Sequence, residues 1–238
     1  MLEALIFDVD GTVAETEDVH RRAFNLAFER HGLEFSWEPD EYRRLLAVPG
    51  GRERIAFAMA RTGWPVDPAE VVAVHASKTG FYAMILASEG VPWRPGVKRL
   101  MEEAWSTGRA VALATTTSAE NLEPLFAPVM GVGWRGHFAA IVTGAMVVRK
   151  KPAPDAHLEA LRRMGVTAGC AVAFEDSALG VAAAVAAGIA VVATPSEWLS
   201  GDDLSHADLL LAGGIGDLTI QALASWHRER AGSCSLHA

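Results

Sequence analysis

Two carboxylates stand two positions apart in Asp8-Val9-Asp10-Gly11-Thr12, directly after the apolar run Leu5-Ile6-Phe7. Side chains alternate along an extended strand, so both can project from one face. Like charges held that close repel unless something compensates them, and a hard divalent cation with oxygen ligands would do so. Gly11 can take backbone angles closed to other residues, which suits a sharp exit from the strand. A solvated Asp-Gly turn would look the same, so the pentapeptide does not decide alone. Three more reactive groups follow later apolar runs. They are the hydroxyls Thr115-Thr116-Thr117-Ser118, Lys151 before Pro152-Ala153-Pro154-Asp155, and the pair Glu175-Asp176. Each has a plain alternative: hydroxyls cap helices, a lone lysine is solvated, and acids before a helix complement its dipole. In this order they assemble a phosphate site with a carboxylate nucleophile, a metal, hydroxyl donors and a lysine.

Elements must place those groups. An apolar run ending at turn residues reads as a buried parallel strand, and open α/β sheets bind ligands at the carboxyl ends of their strands. Strands are expected over 5–7, 110–114, 140–142, 171–174 and 189–193, with a weaker one at 209–211. Helices are expected over 95–105, 119–126, 154–164 and 178–187, with 128–136 as loop and a hairpin before Lys150. Repeated strand–helix units predict an α/β fold, a Rossmann-like parallel sheet covered by helices on both faces. Between the first two strands, helical periodicity returns four times, over 15–30, 41–46, 52–61 and 69–88. Pro and Gly in Val48-Pro49-Gly50-Gly51 and Gly63-Trp64-Pro65 punctuate it. The expected division is a catalytic core of 1–14 and 95–230, a helical cap of 15–94, and a disordered tail of 231–238.

Composition narrows the function. The 238 residues are 50% hydrophobic, enough for a sizeable core, and 21 basic against 29 acidic residues give a net charge of −8. That balance argues against general nucleic-acid binding, which needs a basic face. Cys170 and Cys234 lack metal-ligand spacing, and Cys170 reads as a small core residue at the head of an apolar run. There is no basic-then-apolar leader and no uninterrupted apolar run of about 18 residues, so a cytoplasmic protein with no membrane partner is expected.

The four groups together resemble the motif set of the haloacid dehalogenase-like phosphohydrolases. Asp8-Val9-Asp10-Gly11-Thr12 matches the first motif and Thr115 the second. Lys151 in Lys-Pro-Ala-Pro-Asp matches the third, and Glu175-Asp176-Ser177 with Gly180 and Ala186-Ala187-Gly188 the fourth. The helical segment then resembles the family's type-1 cap. Thr16 and His20 are similar to the β-phosphoglucomutase and CbbY branch. Ala14-Glu15-Thr16-Glu17, Gly50-Gly51-Arg52-Glu53-Arg54-Ile55 and Ala114-Thr115-Thr116-Thr117-Ser118 lie nearest to CbbY.

The resemblance implies a Mg²⁺-dependent phosphatase of sugar phosphates, with xylulose 1,5-bisphosphate or a similar sugar bisphosphate as substrate. A monomer is expected, with that small phosphorylated sugar as its partner. A sugar-phosphate mutase, a phosphoglycolate phosphatase and an inert binding module are the alternatives. A pure binder would need no nucleophile. Asp8 would attack phosphorus and Asp10 would act as general acid and base. Mg²⁺ would be held by Asp8, the Asp10 carbonyl and Asp176, with Glu175 close by. Thr115, Thr116, Thr117 and Lys151 would bind the transferring phosphoryl group. Gly51, Arg52 and Lys78 would receive a second phosphate. Glu17, His20 and Tyr42 would bond sugar hydroxyls between the two sites. His20 also reads as a surface histidine and Tyr42 as core packing. The cap would close on hinges near Glu15 and at 91–96.

Overall fold

The structure, a computed structural model, describes residues 1–234. In chain order its elements are β1 (Ala4–Phe7), α1 (Glu17–Arg30), α2 (Pro39–Leu45), α3 (Gly51–Thr62), α4 (Pro68–Glu89), α5 (Val97–Ser106), β2 (Ala110–Ala114), α6 (Ala119–Met130), β3 (Ala140–Val142), α7 (Asp155–Met164), β4 (Ala171–Glu175), α8 (Ala178–Ala186), β5 (Ala190–Ala193), β6 (Leu209–Leu210) and α9 (Ile220–Cys234). The strands form one parallel sheet in the order β3-β2-β1-β4-β5-β6. Register explains the site: Phe7 pairs with Leu113 on one side and Phe174 on the other. The residues that follow these three therefore emerge together at the carboxyl end of the sheet.

Alternation along the strands divides the core. Leu5, Phe7, Val111, Leu113, Val172, Phe174 and Val192 face one layer with Val97, Leu100, Met101 and Leu223 from α5 and α9. Ala4, Ile6, Ala112, Ala114, Ala171, Ala173 and Val191 face the other, with Ala156, Ala160 and Val181 from α7 and α8. The second face is mostly alanine, so α7 and α8 approach closely. Phe7 and Phe174 stack at 4.6 Å on neighbouring strands, and burying each such ring contributes on the order of 1.5–3 kcal/mol.

Residues 15–94 hold only helices, α1 to α4; Phe24, Phe28, Trp37, Tyr42, Ile55 and Val74 form a core of their own, while Val19, Ala23, Tyr82, Ile85 and Leu86 join the core of the sheet. By length and composition alone α4 could cross a membrane. Here it packs against α1 and α3 and buries Val71, Val74, Tyr82, Ile85 and Leu86 together with Lys78. The two linkers of this insertion pair with each other: Ala14 bridges Trp93, and the Arg94 N–H donates to the Val13 carbonyl at 2.7 Å.

Several expectations need correction. The helix expected to stop at 126 continues through Pro128 to Met130, because burial of Leu122, Leu125 and Phe126 outweighs the backbone bonds that Pro124 and Pro128 remove. No hairpin precedes Lys150: β3 pairs with β2 alone among the described strands, and Gly144 N–H donates instead to the Thr117 carbonyl at 3.2 Å, bracing the hydroxyl loop. α9 has no counterpart in the sequence reading. It reaches Cys234, so the tail expected from 231 starts too early, and 235–238 lie outside the described residues. Cys170 is half-buried in the turn before β4 rather than a core residue.

Candidate active site

Asp8, the first residue past β1, is 7% exposed. On one side Lys151 Nζ lies 2.7 Å from its Oδ1. Beyond the neighbouring strand, Asp8, Glu175 and Asp176 offer oxygens all within 4.8 Å of one another. The crowding leaves two marks on the backbone. Gly11 has φ +82, and a Cβ there would lie 2.0 Å from Asp176 Oδ2. A Cβ on Gly180, at the start of α8, would lie 1.9 Å from Glu175 Oε2. Only glycine leaves room for these carboxylates.

Burial pushes Asp8 up to about 8, Lys151 opposing and Glu175 adding to the rise. Burial, with Asp8 next, also lifts Asp176 well above the carboxylate range. Glu175 moves the other way. Burial would raise it, but Lys151 at 2.6 Å and His157 at 3.0 Å, both on Oε1, hold it low. Burial likewise opposes the charge on Lys151, yet Asp8 and Glu175 raise its pKa and keep it ionised. One lysine thus serves two carboxylates, which leaves the cluster short of positive charge. Asp176 Oδ2 and Glu175 Oε2 are buried without a hydrogen-bond partner among the described residues. Hard oxygen donors, excess negative charge and unpartnered buried oxygens fit a divalent cation such as Mg²⁺.

Asp10 turns away from Asp8 toward the helical insertion. Its Oδ1 accepts from Thr16 Oγ1 at 2.6 Å and stands 2.9 Å from His20 Nε2. Lys78 Nζ lies 2.7 Å from His20 Nδ1, and the His20 ring stacks on Tyr82 at 4.2 Å. Burial and Lys78 lower His20, so the ring is neutral. Lys78 donating into Nδ1 leaves the proton on Nε2, aimed at Asp10. Burial would raise Asp10, but His20, Thr16 and Lys78 together hold it far below the usual range. Burial also brings Lys78 down to about 7, with Asp10 opposing. His20 is therefore a buried link in a row of three charged or polar groups, not a surface histidine.

These groups line one cavity of about 390 Å³ between the sheet end and the insertion. Asp8, Asp10, Thr115, Thr116, Thr117, Lys151 and Asp176 form its floor. Glu17, His20, Gly51 and Lys78 line its roof. Glu175 lies behind the floor, fully buried. The Thr115 hydroxyl accepts from the Thr117 N–H at 3.1 Å, which shapes the hydroxyl loop.

Two expected residues stand elsewhere. Tyr42 is buried in the insertion core, where its hydroxyl donates to Glu17 Oε2 at 2.8 Å and accepts from Arg54 Nη1 at 2.8 Å. It fixes Glu17 and does not line the cavity. Arg52 is exposed and also off the cavity wall. The helix turn carries Gly51 inward and the next side chain outward, and Arg54 takes the inward place.

Residues that the sequence reading missed are Arg43, Arg44, Arg54, His75 and Asn121 on the wall and His157 behind Glu175. The α3 N-terminus also opens on the cavity: its cap is Gly50, at φ +101, with no capping side chain. Helical spacing could have flagged His75, one turn before Lys78, whereas nothing local marks Arg43 or Arg44.

Further polar contacts join the insertion to the core. Lys150 Nζ meets Glu53 Oε1 at 2.5 Å, and Arg43 Nε donates to the Trp198 carbonyl at 3.1 Å.

Residues 2–188 match the model of the haloacid dehalogenase-like hydrolase family. The chain is 45% identical over 207 residues to the protein CbbY of Rhodobacter capsulatus, covering 87% of this chain and 91% of that one. The crystal structure of CbbY from Rhodobacter sphaeroides in complex with phosphate superposes with a TM-score of 0.89 at 39% identity, covering 94% of this chain and 100% of that one. A mutant of the same protein in complex with xylulose-(1,5)-bisphosphate superposes equally well, at 39% identity over 94% of this chain and 99% of that one.

Proposed function

This chain belongs to the haloacid dehalogenase-like hydrolases and is a sugar-phosphate phosphatase of that type; we propose that its substrate is xylulose 1,5-bisphosphate or a closely similar sugar bisphosphate. The observation that carries this reading is the cavity itself. Asp8 and Lys151 stand on its floor, and an uncapped helix N-terminus with arginines beside it stands on its roof. Those are two separate places for anionic groups along the wall of one cavity. The CbbY mutant bound to xylulose-(1,5)-bisphosphate supports the same assignment.

In the proposed reaction, Asp10, ionised in the free chain, takes up a proton as the anionic substrate enters; Asp8 then attacks phosphorus in line while the ester oxygen leaves with that proton, giving an aspartyl phosphate and a free alcohol. Asp10 then takes a proton from water as that water attacks the phosphoryl group, which restores Asp8 and releases phosphate. His20 and Thr16 orient the Asp10 carboxyl. Lys151 neutralises Asp8 and the incoming phosphate. Thr115 and the Thr116 N–H bind phosphoryl oxygens. Asp8, the Asp10 carbonyl, Asp176 and Glu175 would hold Mg²⁺. When bound, the ion offsets charge between nucleophile and substrate. We assign 1–14 and the chain from 95 to the catalytic core and 15–94 to a cap that closes over the substrate.

Phosphate release across sugar mono- and bisphosphates tests the reading. A higher kcat/KM for the pentulose bisphosphate than for its monophosphates is expected. Equal values, or conversion of a hexose 1-phosphate to the 6-phosphate without net release, would overturn it.

A further inference from the structure

Arg94 donates to three backbone carbonyls. Its side chain is 13% exposed. Nη1 donates to the Gly11 carbonyl and, at 2.8 Å, to the Thr194 carbonyl. Nη2 donates to the Pro195 carbonyl at 2.7 Å, and Nε stands 3.3 Å from Glu15 Oε1. A guanidinium keeps its charge and offers its donors in a rigid planar fork. The oxygens it binds are therefore fixed relative to one another.

Those oxygens come from the corner after β1, the first linker into the insertion and the loop after β5. Two of these segments carry the carboxylate site. Gly11 follows Asp10 and packs against Asp176 so closely that a Cβ would meet Oδ2 at 2.0 Å and Ser196 Cβ at 3.1 Å. The loop after β5 runs from Thr194 through Pro195 to Ser196, which lies beside Asp176. Asp176 itself bonds no described residue through Oδ2, so packing from these two segments sets its place. Arg94 also begins the return from the insertion, next to Trp93, which bridges Ala14.

We propose that Arg94 is a positioning residue for the carboxylate site: it locks the Gly11 corner to the Thr194–Ser196 loop, so that the Asp10 backbone and Asp176 keep the spacing a divalent cation needs. The proposal rests on the metal-binding reading given above. Because the same side chain anchors both linkers, it joins the foot of the cap to the metal site.

Calorimetric titration of the purified full chain with Mg²⁺ tests this, using Arg94→Met, Arg94→Lys and, as a control on the same linker, Trp93→Phe. Outer groups that orient metal ligands typically contribute about 10–100-fold in affinity. A loss of that order is expected for Arg94→Met and a smaller one for Arg94→Lys, which keeps the charge but not the fork. Trp93→Phe should lower the melting temperature without changing Mg²⁺ affinity. KM for substrate at saturating Mg²⁺ should stay near that of the parent in all three. If Arg94→Met does not fold, Arg94→Lys decides. Unchanged Mg²⁺ affinity in the folded Arg94 variants, or an equal loss in Trp93→Phe, overturns the proposal alone. A parent protein that binds no Mg²⁺ overturns the metal reading and this proposal with it.

Discussion

Lys151 Nζ lies 2.7 Å from Asp8 Oδ1 across 143 positions of sequence. Strand register makes that meeting possible. β1 lies between β2 and β4, and Lys151 enters from the loop that follows β3, on the far side of β2. The pair is buried at 7% and 5% exposure, so its charges are poorly screened and each determines the state of the other.

Asp8→Asn is expected to abolish turnover and leave the fold intact. An amide has nearly the shape of a carboxylate but cannot serve as this nucleophile. It also removes one of three crowded acids, so the melting temperature of the metal-free variant should be no lower than the parent's at pH 8. Retained Mg²⁺-dependent phosphate release above a trace would remove Asp8 from its role.

The raised pKa values of Asp8 and Asp176 make a stability prediction. A carboxyl whose folded pKa lies above its unfolded value binds more protons in the folded state across that interval. Stability then falls as pH rises, here from about 4 to about 8 for Asp8. Mg²⁺ needs the ionised forms and competes with those protons. Thermal melts should show Mg²⁺ raising the melting temperature more at pH 8 than at pH 5, and Asp176→Ala should lose most of that gain. A Mg²⁺ effect that is flat or larger at pH 5 would contradict the cluster as the metal site. So would full activity in excess chelator.

The fold and the floor of the site were legible in the sequence because both depend on local pattern. Apolar runs marked β1, β2 and β4, and the residues just past them are Asp8, Thr115 and Asp176. What was not legible depends on rotation about a helix and on contacts far apart in sequence. Arg52 and Arg54 differ only in which face of α3 they occupy, and Gly-rich sequence before the helix gave no phase. Tyr42 looked equally able to touch a sugar or fill a core, and only the fold sets it against Glu17. Arg94 gave no local signal because its partners, Gly11 and Thr194–Pro195, are distant in sequence. α9 was missed because its weak apolar face is defined by α5, on which it packs.

Lys78 should reveal itself in the pH dependence of stability. Burial brings its pKa from 10.5 to about 7. Between those values the unfolded chain holds a proton that the folded one has released, so stability contributed by this group rises with pH. Lys78→Met has no such term. Denaturant melts from pH 6 to 10 should therefore show the parent gaining on the variant above pH 7. Parallel curves would mean that Lys78 titrates normally and that burial does not perturb it.

The charge of the substrate offers the last test, because the residue that sequence favoured for the proposed second anion site stands off the cavity wall. Arg52 points to solvent, while Arg44, Arg54 and the α3 N-terminus at Gly50 and Gly51 line the cavity. Arg54 is committed to Tyr42 and to the Val48 carbonyl. Arg43 is committed to Asp40 and Trp198. Arg44, a residue of α2 facing the cavity, is therefore the arginine to remove. A lost charge-assisted contact of about 1.5–3 kcal/mol corresponds to a roughly ten- to hundredfold loss in kcat/KM. Arg44→Ala should show that loss on a pentulose bisphosphate, mainly through KM, and almost none on a small monophosphate held by the floor alone. Arg52→Ala should change neither substrate. If Arg52→Ala weakens the bisphosphate selectively and Arg44→Ala does not, the distal phosphate lies outside the cavity wall seen here, and the cap must rotate α3 to receive it.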